Sequence, residues 1–152
     1  MFDPAQLRNT QVSVKTIAME AGLRRRYLDA FGHCSYFAQR DKVAPDPIEQ
    51  TEDLLPVSLL ISLGDYRAAY RQLHIQSRQL LQSFASIQAI DDVRVNDQIE
   101  VSTVISDIYE QQATHAPLGF VVIDVFGKRK RKNIFHVTRI TAVRGGFQRS
   151  IT

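Results

Sequence analysis

The chain has 152 residues, of which 44% are hydrophobic and 23% charged, and its formal net charge is +3. This composition excludes a disordered chain and predicts one domain, residues 1–152, large enough to bury a core. No apolar run is long enough to span a bilayer, and the first residues lack a secretory signal pattern. The single cysteine, Cys34, cannot form an internal disulfide, which favours a reducing cytoplasm. The mild positive charge permits an anionic partner without requiring one.

The first half of the sequence predicts two helical segments. Residues 12–31 place apolar side chains at helical spacing, so we predict an N-terminal helix there. Residues 54–64 form a compact apolar segment with Pro56 near its start and Gly64 at its end. Proline suits the first turn of a helix and glycine suits the position after its last turn, so this segment predicts a short buried helix. Residues 66–75 are ambiguous between a helical turn and a loop.

The second half predicts a sheet, with strands at about 79–89, 93–109, 118–126 and 132–144. In the second of these, Asn96-Asp97 predicts a tight turn, after which β-branched residues alternate with polar ones. The third is apolar on both faces, which predicts a central strand. Gly127 to Lys130 predicts the last hairpin connection. Helices followed by long antiparallel strands indicate the α+β class.

Two stretches of the sequence resemble a known family. Residues 93–101, V-R-V-N-D-Q-I-E-V, are similar to the P-V-x-x-G-D-x-I-x-V pattern that opens the long strands of hotdog-fold acyl-thioester enzymes, with Asn96 where that family usually has glycine. Residues 27–38, Y-L-D-A-F-G-H-C-S-Y-F-A, partly resemble the Y-x-x-A-x-G-D-x-N-P-x-H loop of MaoC-like (R)-3-hydroxyacyl-thioester dehydratases of the FAS1 type. The resemblance implies a hotdog fold, a curved antiparallel sheet wrapped around a buried helix. It also implies an acyl-coenzyme A or acyl carrier protein thioester as ligand, and a homodimer or a heterodimer with another hotdog subunit.

The catalytic positions of that loop do not match the family. His33 stands where the family has its catalytic Asp, and Ala38 stands where it has its His. The resemblance therefore implies a binding subunit whose partner carries the intact Asp/His pair. The enzymatic alternative is a dehydratase or thioesterase with a rearranged site, in which His33 acts with Asp53 or Asp65. No spacing among the histidines predicts a metal site, and we expect no cofactor.

Candidate binding residues carry positive charge or an imidazole. Arg71 and His74 precede the first long strand and are candidates for contact with the polar end of a ligand. The dense run at the last hairpin is a candidate for binding phosphates of coenzyme A or an acidic carrier protein, although a solvated hairpin tip is the simpler interpretation. That run consists of Lys128, Arg129, Lys130 and Arg131, followed by Lys132.

A third class of function competes for the N-terminal segment. Residues 12–31 also resemble the helix-turn-helix of TetR-type repressors, with Ala21-Gly22-Leu23 as the turn and an arginine run at 24–26 positioned toward phosphates. Such regulators have a complete helix before this unit and a helical domain after it. The strand-rich remainder of this chain disfavours a nucleic-acid partner.

Overall fold

The structure, a computed structural model, describes residues 3–30 and 53–147. Its sheet has five strands: β1 (Thr10–Ala18), β2 (Leu80–Ala89), β3 (Gln98–Gln112), β4 (Pro117–Arg129) and β5 (Lys132–Arg144). The strands lie in the order β1-β3-β4-β5-β2, and every neighbouring pair is antiparallel. β4 occupies the centre, as its apolar sequence predicts, while β1 and β2 form the two edges.

Helices cover one face of this sheet. They are α1 (Ala21–Ala30), α2 (Val57–Leu60) and α3 (Tyr66–Gln72), with short 3₁₀ turns at Pro4–Leu7, Ile61–Leu63 and Ser77–Gln79. Leu59 and Leu60 of α2 and Ala69 of α3 are buried against odd-numbered positions of β3 and β4. The predicted α+β architecture is therefore confirmed, because one apolar sheet face packs on the helices and the other stays open. None of the helices in the described part of the chain is long and apolar enough to cross a membrane.

The predicted N-terminal helix is wrong over its first half. Residues Thr10–Ala18 form β1, which pairs with β3, and only Ala21–Ala30 is helical. β-branched residues favour an extended chain, and an edge strand that is partly exposed on both faces loses the strict alternation that marks a half-buried strand. The helix-turn-helix alternative is also wrong, since its first helix is this strand.

The predicted helix at 54–64 is shorter than its apolar stretch. It comprises α2 and the 3₁₀ turn Ile61–Leu63, and Pro56 caps α2 from an extended conformation instead of lying within the first turn. The ambiguous residues 66–75 contain the longer helix, α3. Asp65 caps α3 by accepting a hydrogen bond from the Ala68 N–H at 3.1 Å.

The last hairpin turns later than its glycine suggests. β4 continues to Arg129, and the turn consists of Lys130 and Arg131, which have φ values of 49° and 67°. Two consecutive left-handed residues form the kind of two-residue turn that matches strand twist. Gly127 instead lies within β4, where a Cβ would stand 2.0 Å from a ring carbon of the buried Phe135. This glycine is required by close packing.

The turn before β3 follows the sequence pattern. Asn96 has a φ of 73°, the left-handed conformation that asparagine tolerates better than most residues. After the turn Ile99, Val101, Thr103 and Ile105 are all buried, as their alternation predicts. Asparagine therefore supplies at this turn the backbone geometry for which the resembled family usually has glycine.

Candidate functional site

Two clefts lie at opposite ends of β2. The first, here called the cationic cleft, has a volume of ≈ 740 Å³ and is open to solvent. Among the described residues that line it, the two charged ones are arginines and the others are apolar or carry a hydroxyl group. Its lining consists of Arg67, Tyr70, Arg71, Ile75, Ser77 and Leu80.

Hydrogen bonds connect the cationic cleft to the edge strand. The Tyr70 hydroxyl lies 2.7 Å from Thr141 Oγ1 on β5, and that atom lies 2.8 Å from Ser83 Oγ on β2. Three hydroxyl groups thus link α3, β5 and β2 beneath the cleft. This network fixes the wall of the cleft to the edge of the sheet.

The second cleft, here called the apolar cleft, lies where α2 approaches the far end of β2 and has a volume of ≈ 540 Å³. Its walls are mostly aliphatic, with two carboxylates at the rim. Val57 and Ile90 expose 46% and 57% of their surface, so apolar side chains meet solvent at its mouth. Its lining consists of Leu54, Leu55, Pro56, Val57, Leu60, Ala89, Ile90, Asp91, Asp92 and Val93.

The edge strand between the two clefts is uncharged and exposed. None of the ten residues of β2 is Asp, Glu, Lys or Arg, and its burial pattern shows eight exposed positions. Phe84 exposes 65% of its surface and Leu81 exposes 47%. An uncharged edge with exposed apolar side chains is a template for pairing with another strand.

The two candidate carboxylates are engaged in ion pairs. Asp53 accepts two hydrogen bonds from one nitrogen of the Arg94 guanidinium, at 2.9 and 3.0 Å. Asp65 binds the Lys15 ammonium and caps α3. The hydrogen bond from Lys15 is the main cause that lowers the pKa of Asp65, so this carboxyl group is ionised at neutral pH. Both residues therefore have structural roles that account for their charge, and their catalytic role stays a prediction.

One of the basic residues of the last hairpin, Arg129, is already paired with carboxylates of this chain. The Arg129 guanidinium binds Asp91 and Asp97 and also donates to the backbone carbonyl of Asp92 at 2.9 Å. This arginine therefore joins the hairpin to the segment between β2 and β3. Lys128, at the end of β4, and the turn residues Lys130 and Arg131 remain predicted phosphate contacts.

The remaining predicted site residues are separated by the structure. Arg71 lines the cationic cleft, whereas His74, beyond the end of α3 with a φ of 55°, does not line it. His33 and Cys34 lie outside the described residues. The described part of the chain thus brings one predicted binding residue to a cleft and assembles none of the predicted acid–base groups.

A polar cluster on the open face of the sheet was not predicted from the sequence. Asp124 Oδ1 lies 2.7 Å from His136 Nε2 and 2.6 Å from Thr138 Oγ1, and its other carboxylate oxygen accepts from Ser106. Partial burial would raise the pKa of Asp124, but the hydrogen bonds from Ser106, Thr138 and His136 together lower it. The His136 ring stacks on Phe126 with centroids 4.5 Å apart.

This cluster lies away from both clefts. Asp124, His136 and Thr138 occupy even-numbered positions, which face away from the buried core, and none of them lines either cleft. The available signal was Asp124 itself, the one charged residue in the otherwise apolar stretch 118–126. The register that sets Asp124 opposite Thr138 cannot be obtained from that stretch alone.

Comparisons with known proteins identify the fold. One chain of the ChsH1-ChsH2 complex from Mycobacterium tuberculosis matches with a TM-score of 0.60 and 8% identity, over 93% of this chain and 88% of that one. The C-terminally truncated HadBC (3R-hydroxyacyl-ACP dehydratase) complex from the same organism matches with a TM-score of 0.58 and 12% identity, over 90% and 96%. A third M. tuberculosis protein, which has a double hotdog fold, matches with a TM-score of 0.54 and 12% identity, over 94% of this chain and 44% of that one. No protein-family model and no curated protein matches the sequence.

The chain is therefore an α+β protein in which an antiparallel sheet packs on helices, and this arrangement is the hotdog fold. The fold implied by the resemblance to MaoC-like dehydratases is confirmed. At 8–12% identity, these matches define the fold and leave function to the site.

Proposed function

We propose that this protein binds an acyl-coenzyme A or acyl carrier protein thioester as the non-catalytic subunit of a hotdog pair. The observation that carries the proposal is the exposed, uncharged strand β2 with a cleft at each end. An apolar cleft suits an acyl chain, and a cleft with arginines suits the anionic bearer of the thioester. The compartment expected for such a protein is the reducing cytoplasm, because a single cysteine cannot form an internal disulfide.

Pairing through β2 unites the two clefts. In an antiparallel pair of edge strands, the end of one strand lies beside the opposite end of the other. The cationic cleft at Leu80 then adjoins the Ala89 end of the partner strand, where a second copy has its apolar cleft. One thioester therefore lies across both subunits. Two of the matched structures are complexes, which supports pairing with a second hotdog subunit, identical or different.

We expect no turnover by the isolated chain, because its loop lacks the catalytic pair of the resembled family. His33 and Ala38 replace the Asp and His of the resembled family, and Asp53 and Asp65 are occupied by Arg94 and Lys15. A hydratase needs an acid and a base that both reach the substrate.

The test combines binding and turnover of one thioester. The purified chain is titrated with crotonyl-coenzyme A by calorimetry while the absorbance of the conjugated thioester is followed. We expect saturable binding with no loss of absorbance. Loss that disappears in His33→Ala would instead establish the enzymatic alternative, and the absence of binding would reject the proposal.

A further inference from the structure

Arg67 and Arg71 supply the positive charge of the cationic cleft. Arg67 and Arg71 lie four residues apart on α3, so their side chains extend from the same helix face, and both are exposed. Neither forms an ion pair with any residue in the described ranges. Asp65, just before α3, has its carboxylate bound to Lys15. Like charges one turn apart repel each other, and an anion between them would remove that repulsion.

Three other arginines form ion pairs within the described residues. Arg8 binds Asp107, Arg94 binds Asp53, and the guanidinium of Arg129 lies between two carboxylates. No Asp or Glu is found among the described residues that line the cationic cleft. Within the described residues no carboxylate forms an ion pair with its two arginines, so their charge is available to an anionic ligand.

The rest of the lining restricts the chemistry of the ligand. Ile75 and Leu80 are half-buried and apolar, and Tyr70 uses its hydroxyl on Thr141. A charged rim above a mostly apolar floor fits an anion that continues into an uncharged arm. The phosphate of a phosphopantetheine arm, which leads through amides to a thioester, has this chemistry.

We propose that Arg67 and Arg71 bind the phosphate of the phosphopantetheine arm that bears the acyl thioester. The proposal rests on the acyl-thioester function argued above. It places the phosphate end of the ligand in the cationic cleft of one subunit, from which the rest of the ligand extends to the partner. Guanidinium groups suit this role because they donate paired hydrogen bonds to phosphate oxygens. The acyl chain then extends along the β2 edge toward the partner's apolar cleft.

The experiment compares two ligands that differ by one phosphate. Calorimetry measures the Kd of octanoyl-4′-phosphopantetheine and of octanoyl-pantetheine for the wild-type chain and for the double variant Arg67→Gln/Arg71→Gln. We expect the wild type to bind the phosphorylated ligand at least about tenfold more tightly, since hydrogen bonds to charged groups are the strong ones. The double variant should lose this preference and keep its affinity for octanoyl-pantetheine.

A matched variant controls for the general loss of positive charge. Arg25→Gln/Arg26→Gln removes two exposed arginines of α1 that do not line the cationic cleft, and it should keep the full phosphate preference. Octanoyl-coenzyme A and an octanoyl carrier protein, titrated into the same variants, identify which bearer uses the subsite. Loss of affinity in Arg67→Gln/Arg71→Gln for either bearer supports the proposal.

The outcomes separate this inference from the proposed function. A wild type that binds both small ligands equally, or a double variant that keeps the phosphate preference, overturns the phosphate subsite while leaving acyl-thioester binding intact. A wild type that binds neither ligand overturns both. Equal loss of preference in the two double variants would assign the effect to overall charge and also overturn the subsite.

Discussion

The two edge strands of the sheet, β1 and β2, differ in how strongly they favour pairing with another strand. Each edge strand presents backbone groups that another strand can pair with. β1 carries Lys15, whose side chain lies on the helix side of the sheet and binds Asp65 at the start of α3. An inward-pointing charge on an edge strand opposes pairing with a second sheet. β2 has no charged residue and exposes Phe84 instead.

We infer from this difference that β2 is the edge available for assembly. At β1 an ion pair within the chain holds the Lys15 charge, which disfavours pairing of that edge with another sheet. At β2 the network of Tyr70, Thr141 and Ser83 holds the strand in place, and no strand in the described part of the chain pairs with its outer side. The edge that lacks a charge is also the one with a cleft at each end, which is why function is expected there.

The largest expected effect comes from placing a charge on the open edge. Phe84→Lys should raise the dimer Kd by at least about tenfold. In a two-fold symmetric pair the substitution changes both strands, so each cross-strand contact of the ring is lost twice and two lysines of like charge come close together. Val14→Lys makes the same kind of change on β1, where Val14 also lies on the open face and is 48% exposed. Sedimentation velocity should show dissociation for the first variant only. Equal behaviour of the two variants would remove the distinction between the edges.

A smaller effect is expected at β1, where Lys15 binds Asp65. Asp65→Ala should lower the free energy of unfolding by about 1–2 kcal/mol, since it removes the N-cap of α3 together with the partner of Lys15. Asp65→Asn keeps a capping oxygen and should cost under about 1 kcal/mol, as the exposed part of an ion pair contributes little. Urea unfolding monitored by circular dichroism measures both. If Asp65→Asn costs as much as Asp65→Ala, the ion pair matters more than the cap.

The smallest expected effect is a pH dependence of stability, to which Asp65 on the helix side of the sheet and Asp124 on the open face both contribute. The pKa values of Asp65 and Asp124 are lowered in the folded protein from the ordinary value of 3.8. Their stabilisation is therefore fully present above that value and is lost as pH falls through the lower, folded pKa. We expect the unfolding midpoint to be flat near neutrality and to drop below about pH 5. Asp124→Asn should flatten this drop, and an unchanged acid profile in that variant would show that its hydrogen bonds do not stabilise the ionised form.

The long strands were the most predictable part of the fold. β3 buries every second residue from Ile99 to Ile105, and that alternation is visible in the sequence because one face is apolar and the other polar. β1 was missed because it is an edge with both faces partly exposed. Where burial is uneven, periodicity alone does not separate a strand from a helix, and tertiary pairing with β3 decides the outcome.

The candidate site was less predictable than the fold. Arg71 was a candidate because of its charge, but Arg67 became one only when α3 placed the two side chains on one cleft. The partners of Arg129 and of Asp65 lie 30 or more residues away in sequence, so their ion pairs could not be predicted from local composition. Sequence therefore indicates which residues carry charge, and only the fold shows which of those charges are already satisfied.

The close packing of Gly127 against Phe135 also limits which substitutions this protein can accept during evolution. The Phe135 ring fills the space that any side chain at position 127 would need, so the two positions divide one fixed volume between them. Neither can grow alone: a methyl group at 127 is tolerated only after the ring at 135 has been replaced by something smaller. Substitutions at this pair must therefore occur in a definite order, and a double-mutant cycle over Gly127→Ala and Phe135→Leu would measure that epistasis directly.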